Sequence, residues 1–317
     1  MKVLITDCGF PDVERERSAI EASGATLEVA QCRSEDEVIA LAADADVLLV
    51  QWAPISERVI SSLNSCRAIV RYGIGVDNVN LVAARAHNIA VCNVPDYGVD
   101  EVADHAFALG LALSRQLPFW HSAVQRGEWP QTPPRLLQAF NEMTFATAGL
   151  GRIARAVLSR ARGAGFQVAA YDPFVSADEF ERLQVVPLDA DELFAQADVL
   201  SLHLPLTPAT ASFVNAERLQ QMKKSAVLVN TARGPLVDNA ALASALQTGD
   251  ISAAGLDVFE TEPLPASHPL RMCENALLTP HIAWYSSGSI ARLQQLAAEE
   301  VVRALRGEAL RCPVSAQ

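Results

Sequence analysis

Short apolar runs alternate with amphipathic stretches along the whole chain. That alternation predicts strands and helices following one another in parallel α/β sheets. Runs near 2–6, 26–30, 46–50, 68–71 and 89–92 read as strands, and helices near 13–23, 34–42, 56–62 and 79–86 separate them. The pattern then changes. One long helix is expected from Asp100 to about Arg126, with Val102, Ala106, Leu109 and Leu113 forming a stripe at i, i+4, i+7 and i+11. Asp100, Glu101 and Asp104 crowd its first turns, where negative charge complements the helix dipole. Such a length predicts a bridge between domains or a dimer contact. The Pro/Gln-rich stretch 129–134 reads as loop, and α/β alternation resumes at Thr144 and runs to about 280. The strand at 144–148 is short of branched aliphatics, which predicts loose packing. A last helix near 285–306, carrying Ile290, Leu293, Leu296, Ala297, Val301 and Leu305, is expected to cross back onto the first part of the chain. The expected fold is therefore α/β, with two Rossmann-like or flavodoxin-like domains built on parallel sheets. Residues 1–98 and 286–317 would form a substrate domain completed by the C-terminal helix, and residues 99–285 a dinucleotide-binding domain.

Within the second domain, Gly149-Leu150-Gly151-Arg152-Ile153-Ala154 has the G-x-G-x-x-G/A form, and Asp172 follows at the end of the next apolar run. That spacing fits a dinucleotide site. Gly149 permits a tight turn, Gly151 lets a pyrophosphate approach the backbone at a helix N-terminus, and Ala154 lets that helix lie close to its strand. Asp172 would accept hydrogen bonds from ribose hydroxyls and repel a 2′-phosphate, which selects NAD over NADP.

Open parallel sheets bind ligands at the carboxyl ends of their strands. Five runs end there in polar groups: Asp172, His203, the segment Thr231-Ala232-Arg233-Gly234, Asp257, and Thr279-Pro280-His281. Arg233 follows a buried strand directly, a costly place for a cation without an anionic partner, and its planar fork suits a carboxylate. His281 can donate a proton near neutral pH. Glu262 could hold His281 in one tautomer.

Bulk properties narrow the partners. The chain has 317 residues, half of them hydrophobic, 20% charged and a formal net charge of −12, which argues against nucleic acid or an anionic membrane as a partner. Six scattered cysteines without a C-x-x-C pair suggest reduced thiols in the cytoplasm and no metal site. The chain opens on a strand rather than the apolar core of a signal peptide, and no run is long enough to span a membrane.

The blocks 229–234, 256–263 and 279–281 resemble the D-isomer-specific 2-hydroxyacid dehydrogenase family, as do Tyr72-Gly73-Ile74-Gly75-Val76-Asp77-Asn78, Val91-Cys92-Asn93-Val94-Pro95 and the glycine turn. Around His281-Ile282-Ala283-Trp284 and Arg71-Tyr72 the similarity is greatest to the C-terminal-binding-protein-like branch. The resemblance implies NAD as cofactor and a small 2-keto or 2-hydroxy acid as substrate. It implies that Arg233 binds the substrate carboxylate and polarises the keto oxygen, that His281 protonates that oxygen, and that Glu262 pairs with His281. Tyr72, the amides of Gly73, Ile74 and Gly75, and Trp284 would join Arg233 at the substrate. Arg152 and Ile153 would meet the pyrophosphate; His203, Leu204, Pro205 and Thr210 the adenine and ribose; and Thr231, Ala232, Asp257, His281 and Ala283 the nicotinamide side. Ala146 and Thr147 replace a usual Gly-aliphatic pair, which weakens the expected cofactor affinity. A homodimer built on the 100–126 helix is expected. The alternative is an NAD(H)-sensing corepressor-like protein with vestigial catalysis, against which the intact Arg233, Glu262 and His281 set argues. A phosphorylated substrate is disfavoured by the scarcity of Lys and Arg near the expected pocket, and Trp284 with Tyr97 hints at an apolar wall.

Overall fold

The computed structural model describes residues 1–314. The chain divides into two compact units, one of residues 1–98 and 285–317 and one of residues 99–284, with Tyr285 on the side of the first. It opens with β1 (Lys2–Ile5), α1 (Glu14–Ala22), β2 (Thr26–Val29), α2 (Glu35–Ala42), β3 (Val47–Val50), α3 (Glu57–Ser61), β4 (Ala68–Arg71), α4 (Leu81–Ala86) and β5 (Ala90–Cys92). The second unit then begins with α5 (Val99–Ser114) and α6 (Leu117–Gln125), followed by β6 (Thr144–Ala148), α7 (Arg152–Gly163), β7 (Gln167–Tyr171), α8 (Ala177–Leu183), β8 (Val186–Pro187), α9 (Ala190–Gln196) and β9 (Val199–Leu202). It closes with α10 (Ala216–Gln221), β10 (Val227–Asn230), α11 (Asn239–Thr248), β11 (Ala253–Leu256) and β12 (Ala276–Leu278). The chain then returns to the first unit as α12 (Ser287–Arg306) and β13 (Pro313–Val314).

The first unit carries a sheet of order β13-β5-β4-β3-β1-β2. Its five sequential strands are parallel, β13 pairs antiparallel with β5 through Pro313↔Cys92, and 2-1-3-4-5 is the order of flavodoxin-like sheets. All four residues of β3 are fully buried, which is why this strand reads as an unbroken apolar run. Side-chain caps start its helices: Ser34, Ser56 and Asn80 accept from Glu37, Val59 and Ala83 N–H. A capping box between Ser286 and Ser289 starts α12, which packs on α1, β3 and β4.

The second unit has an all-parallel sheet of order β12-β11-β10-β9-β6-β7-β8. This is the doubly wound order, and it reverses direction between β6 and β9. Alternate residues feed two cores: Val199, Val227 and Val229 point to one face, and Leu200, Leu202, Leu228 and Leu256 to the other. The fold class is the one the alternation predicts.

Two expectations need correction. The strand at 144–148 is not loosely packed: it is central, residues 145–148 are fully buried, and Phe145 packs edge-on to Phe166. Its small side chains suit a strand covered on both faces. The 100–126 segment is not one helix. It breaks after Ser114 into α5 and α6, with Gln116 left-handed at φ 52°. Pro118 has no N–H for the Ser114 carbonyl, and its ring would clash there in a continuous helix. The apolar stripe of α5 is also consumed within its own unit. A Cβ on Gly110 would lie 3.0 Å from Phe145 Cε2, and one on Gly255 would lie 2.9 Å from Leu109 Cβ.

Candidate active site

The reversal point of the second sheet is occupied by the glycine turn. Gly149 has φ +94°, and a Cβ there would lie 2.8 Å from the His203 carbonyl oxygen at the end of β9, so both conformation and space demand glycine. Gly149 N–H donates to Tyr171 O at 2.7 Å, and the buried Thr147 hydroxyl donates to Gly149 O at 2.8 Å. Thr147 therefore buttresses the turn, a role its departure from the usual pattern did not suggest. Asp172 comes to the same turn: its carboxylate accepts from Leu150 N–H at 2.8 Å and Phe174 N–H at 3.0 Å. Ala154 is fully buried, and no atom lies within 4 Å of a Cβ built on Gly151, the N-cap of α7. Arg152, exposed, stands in a first turn that contains no acid.

His203 lies beside this turn, with Nε2 2.9 Å from the Ser201 hydroxyl. Burial of the ring pushes its pKa down to about 3, so it is neutral at neutral pH. Leu204 is half-buried and Pro205 exposed; the Thr210 hydroxyl donates to Pro205 O at 2.6 Å and accepts from Thr207 N–H at 2.8 Å, folding the 205–210 loop. The Thr231 hydroxyl at the end of β10 is buried with no hydrogen-bond partner among the described residues. An orphaned buried hydroxyl, an open glycine N-cap and an acid pinned to the turn together fit a dinucleotide along this edge.

The same edge carries Arg233 and the loop of His281. Asn230 Oδ1 accepts from Ala232 N–H at 3.0 Å and its Nδ2 donates to Arg233 O at 2.9 Å, so one side chain folds the segment leading into Arg233. Arg233 Nη1 donates to Ala232 O at 2.6 Å. Gly234 presses on the backbone of Phe259 and Glu260, and a Cβ there would collide with both. That close approach fixes the Arg233 segment against the loop of Glu262, a role for Gly234 that nothing in its local sequence signals.

His281 Nδ1 lies 2.6 Å from Glu262 Oε2, and Glu262 Oε1 accepts from Phe259 N–H at 2.9 Å. Burial opposes ionisation of Glu262, but the hydrogen bonds from His281 and Phe259 and the charges of His281 and Arg233 outweigh it. They hold the carboxyl below its ordinary value. Glu262 is thus an anion across the neutral range. Its stabilising contact is complete above the unfolded value of ~4.3 and is lost as the pH falls through the folded value.

Asp257 is fully buried. Its Oδ1 accepts from the Thr279 hydroxyl at 2.6 Å and Ile282 N–H at 2.9 Å, and its Oδ2 from Ala283 N–H at 2.8 Å. Its own carbonyl accepts from His281 N–H at 2.8 Å. The Asp257 carboxylate, expected on the nicotinamide side, faces the 279–283 loop and accepts from its donors. His281 has φ +54°, a left-handed conformation that costs a non-glycine residue roughly 1–2 kcal/mol. The bonds to Asp257 hold it there. Trp284 Nε1 adds a bond to His281 O at 3.0 Å.

In the first unit the Tyr72 side chain is misplaced by the sequence reading. It is 1% exposed, its hydroxyl donates to the buried Glu16 at 2.8 Å, and its ring packs edge-on to Phe10. Buried this way, it is a core residue rather than a substrate contact. Gly73, at φ +131°, continues into half-buried Ile74 and Gly75.

The strand ends of this doubly wound sheet thus gather a glycine turn, an arginine and a Glu–His pair. Residues 107–283 match the model of the D-isomer specific 2-hydroxyacid dehydrogenase NAD binding domain. The chain belongs to that family. It is 36% identical over 310 residues to a D-3-phosphoglycerate dehydrogenase of Methanocaldococcus jannaschii, covering 97% of this chain and 58% of that protein. It is 36% identical over 282 residues to a glyoxylate reductase of Korarchaeum cryptofilum, covering 87% of this chain and 84% of that one. The structure of D-lactate dehydrogenase from Aquifex aeolicus complexed with NAD and lactic acid superposes with a TM-score of 0.87 at 29% identity, covering 96% of each chain. The chain thus spans little more than half the length of the phosphoglycerate dehydrogenase it matches.

Proposed function

We propose that this chain is an NAD-dependent dehydrogenase that interconverts a D-2-hydroxy acid and its 2-keto acid. The observation that carries the reading is the 2.6 Å Glu262–His281 pair, on the strand edge that also carries Arg233 and the glycine turn. The glycine turn, Asp172 and Thr231 would hold the dinucleotide, whose nicotinamide supplies the hydride when bound. Arg233 offers a fork to the substrate carboxylate and stabilises negative charge growing on the keto oxygen. Glu262, engaged at Nδ1, leaves Nε2 of His281 as the position from which a proton is given to that oxygen. In the first unit, the N–H groups of Ile74 and Gly75 are proposed to meet a carboxylate, Gly73 N–H being given to Arg71 O at 3.0 Å. The alanine at 283, its N–H held by Asp257, keeps the loop after His281 close to the sheet.

The relatives' names cover a phosphorylated, a two-carbon and a three-carbon acid, and a 2-hydroxy acid is their shared chemistry. Oxidation of NADH in the presence of glyoxylate, pyruvate, hydroxypyruvate and its 3-phosphate tests the reading. Turnover of at least one supports it, and turnover of none rejects it.

The carboxylate of Asp172 should make NADH preferred over NADPH by on the order of tenfold or more in kcat/KM, through repulsion of the 2′-phosphate. Asp172→Ala should narrow that ratio, and equal use of the two cofactors by the unchanged protein would remove Asp172 from this role. Glu262→Gln should lower kcat for keto-acid reduction by about tenfold or more, because His281 Nδ1 loses the carboxylate that meets it at 2.6 Å. A kcat equal to that of the unchanged protein would show that this pair does not govern the proton.

A reducing, cytoplasmic setting is part of the proposal, supported by six unpaired cysteines. So is a homodimer. Its support is the exposed Leu117, Val124, Trp129 and Leu136 that follow the helix break, since the apolar stripe of α5 is covered within its own unit. Light scattering at micromolar concentration should give twice the chain mass; the mass of one chain would refute it.

A further inference from the structure

His105 lies on α5, belongs to none of the motifs, and is 174 positions away in sequence from the residue it touches. Its Nε2 is 3.0 Å from the Thr279 hydroxyl, and that hydroxyl is 2.6 Å from Asp257 Oδ1. The direct His105 Nε2 to Asp257 Oδ1 separation is 3.8 Å. A threonine hydroxyl has one hydrogen to give. Thr279 gives it to Asp257, whose oxygens already serve as acceptors for Ile282 and Ala283 N–H. Only lone pairs of Thr279 are then left for His105, so the hydrogen between them must sit on His105 Nε2. The relay runs in one direction: His105 to Thr279, Thr279 to Asp257.

Beyond Asp257, the relay reaches the catalytic loop. The Asp257 carboxylate accepts from Ile282 and Ala283 N–H, and its main-chain carbonyl accepts from His281 N–H; together these bonds hold His281 in its left-handed conformation. We propose that His105, as its Nε2–H form, is a positioning residue that orients Thr279 and Asp257 and so sets the backbone of the His281 loop. It touches neither of the reacting groups proposed above. The anchorage has a rigid base, because α5 packs through Leu109 and Leu113 on Gly255, two residues before Asp257.

The kinetic side of this inference rests on the proposed reductase function; the structural side does not. The test is therefore amide hydrogen exchange of the peptide spanning 281–284, with kcat measured alongside, in His105→Leu and His105→Gln. Leucine removes the donor and should speed exchange in that peptide about tenfold, the loss expected when one buried bond of ~1.4 kcal/mol is removed from a local opening. It should lower kcat by about tenfold while KM for NADH stays within about twofold, because the loop and not the glycine turn is disturbed. Glutamine, which can donate but not accept through its Nε2, should bring both readouts back toward those of the unchanged protein. Exchange at 281–284 unaltered by His105→Leu would overturn the proposal, as would a rise spread evenly over the second unit. Failure of glutamine to restore exchange would overturn the assignment of the hydrogen to Nε2. If the unchanged protein reduces no 2-keto acid, the proposed function fails and the exchange result alone decides the relay.

Discussion

His281→Ala is expected to lower kcat for keto-acid reduction by on the order of 100- to 10,000-fold, the usual worth of a positioned general acid. NADH binding, followed by fluorescence, should stay close to that of the unchanged protein, since the glycine turn and Asp172 are untouched. The expected size follows from how completely the imidazole is prepared. Glu262 meets Nδ1 at 2.6 Å, and Asp257, Thr279 and Trp284 fix the loop that carries it. Alanine at a left-handed φ adds a modest conformational cost, so His281→Asn is the companion variant. Asparagine tolerates that backbone but cannot supply the proton. Both variants should lose kcat to a similar degree. Activity near that of the unchanged protein in either would show that another group donates the proton.

Arg233→Ala should lose both kcat and affinity for the keto acid, together about 2–4 kcal/mol or roughly 30- to 1000-fold in kcat/KM. On the proposed mechanism the carboxylate contact is made in the ground state and the contact to the keto oxygen strengthens as charge develops, so the loss should divide between the two constants. Lysine should not restore activity, because a point charge cannot reproduce the two-pronged geometry. Asn230 and the tight packing of Gly234 on Phe259 and Glu260 place the arginine, so the defect should be local. A thermal midpoint close to that of the unchanged protein would confirm that the loss is one of contact and not of fold. An Arg233→Ala variant with unchanged kcat/KM would remove the residue from the site.

Much of this was legible in the sequence for a physical reason. Buried parallel strands must be apolar throughout, so their ends are marked wherever polarity returns, and in an all-parallel sheet those ends share one edge. Asp172, His203, Arg233, Asp257 and His281 are gathered on that basis from the sequence alone. What escaped were contacts between residues far apart in the chain. Tyr72 stands in a motif that suggests exposure, yet a carboxylate 56 residues earlier takes its hydroxyl into the core. Asp257 looks like a ligand group at a strand end, and only the fold of the 279–283 loop shows where its oxygens go. His105 carries no local signal at all. The helix break after Ser114 was signalled, by Pro118, but the apolar stripe masked it: stripes report which face is buried and not whether the backbone continues.

The proposed activity is tested most directly by the handedness of its product. NADH and pyruvate are incubated with the protein, and the lactate formed is resolved by chiral chromatography. One D-lactate for each NADH oxidised is the expected result if pyruvate is among the keto acids reduced, with the His281→Ala variant forming almost none; L-lactate or a racemic product at the same NADH cost would contradict the account.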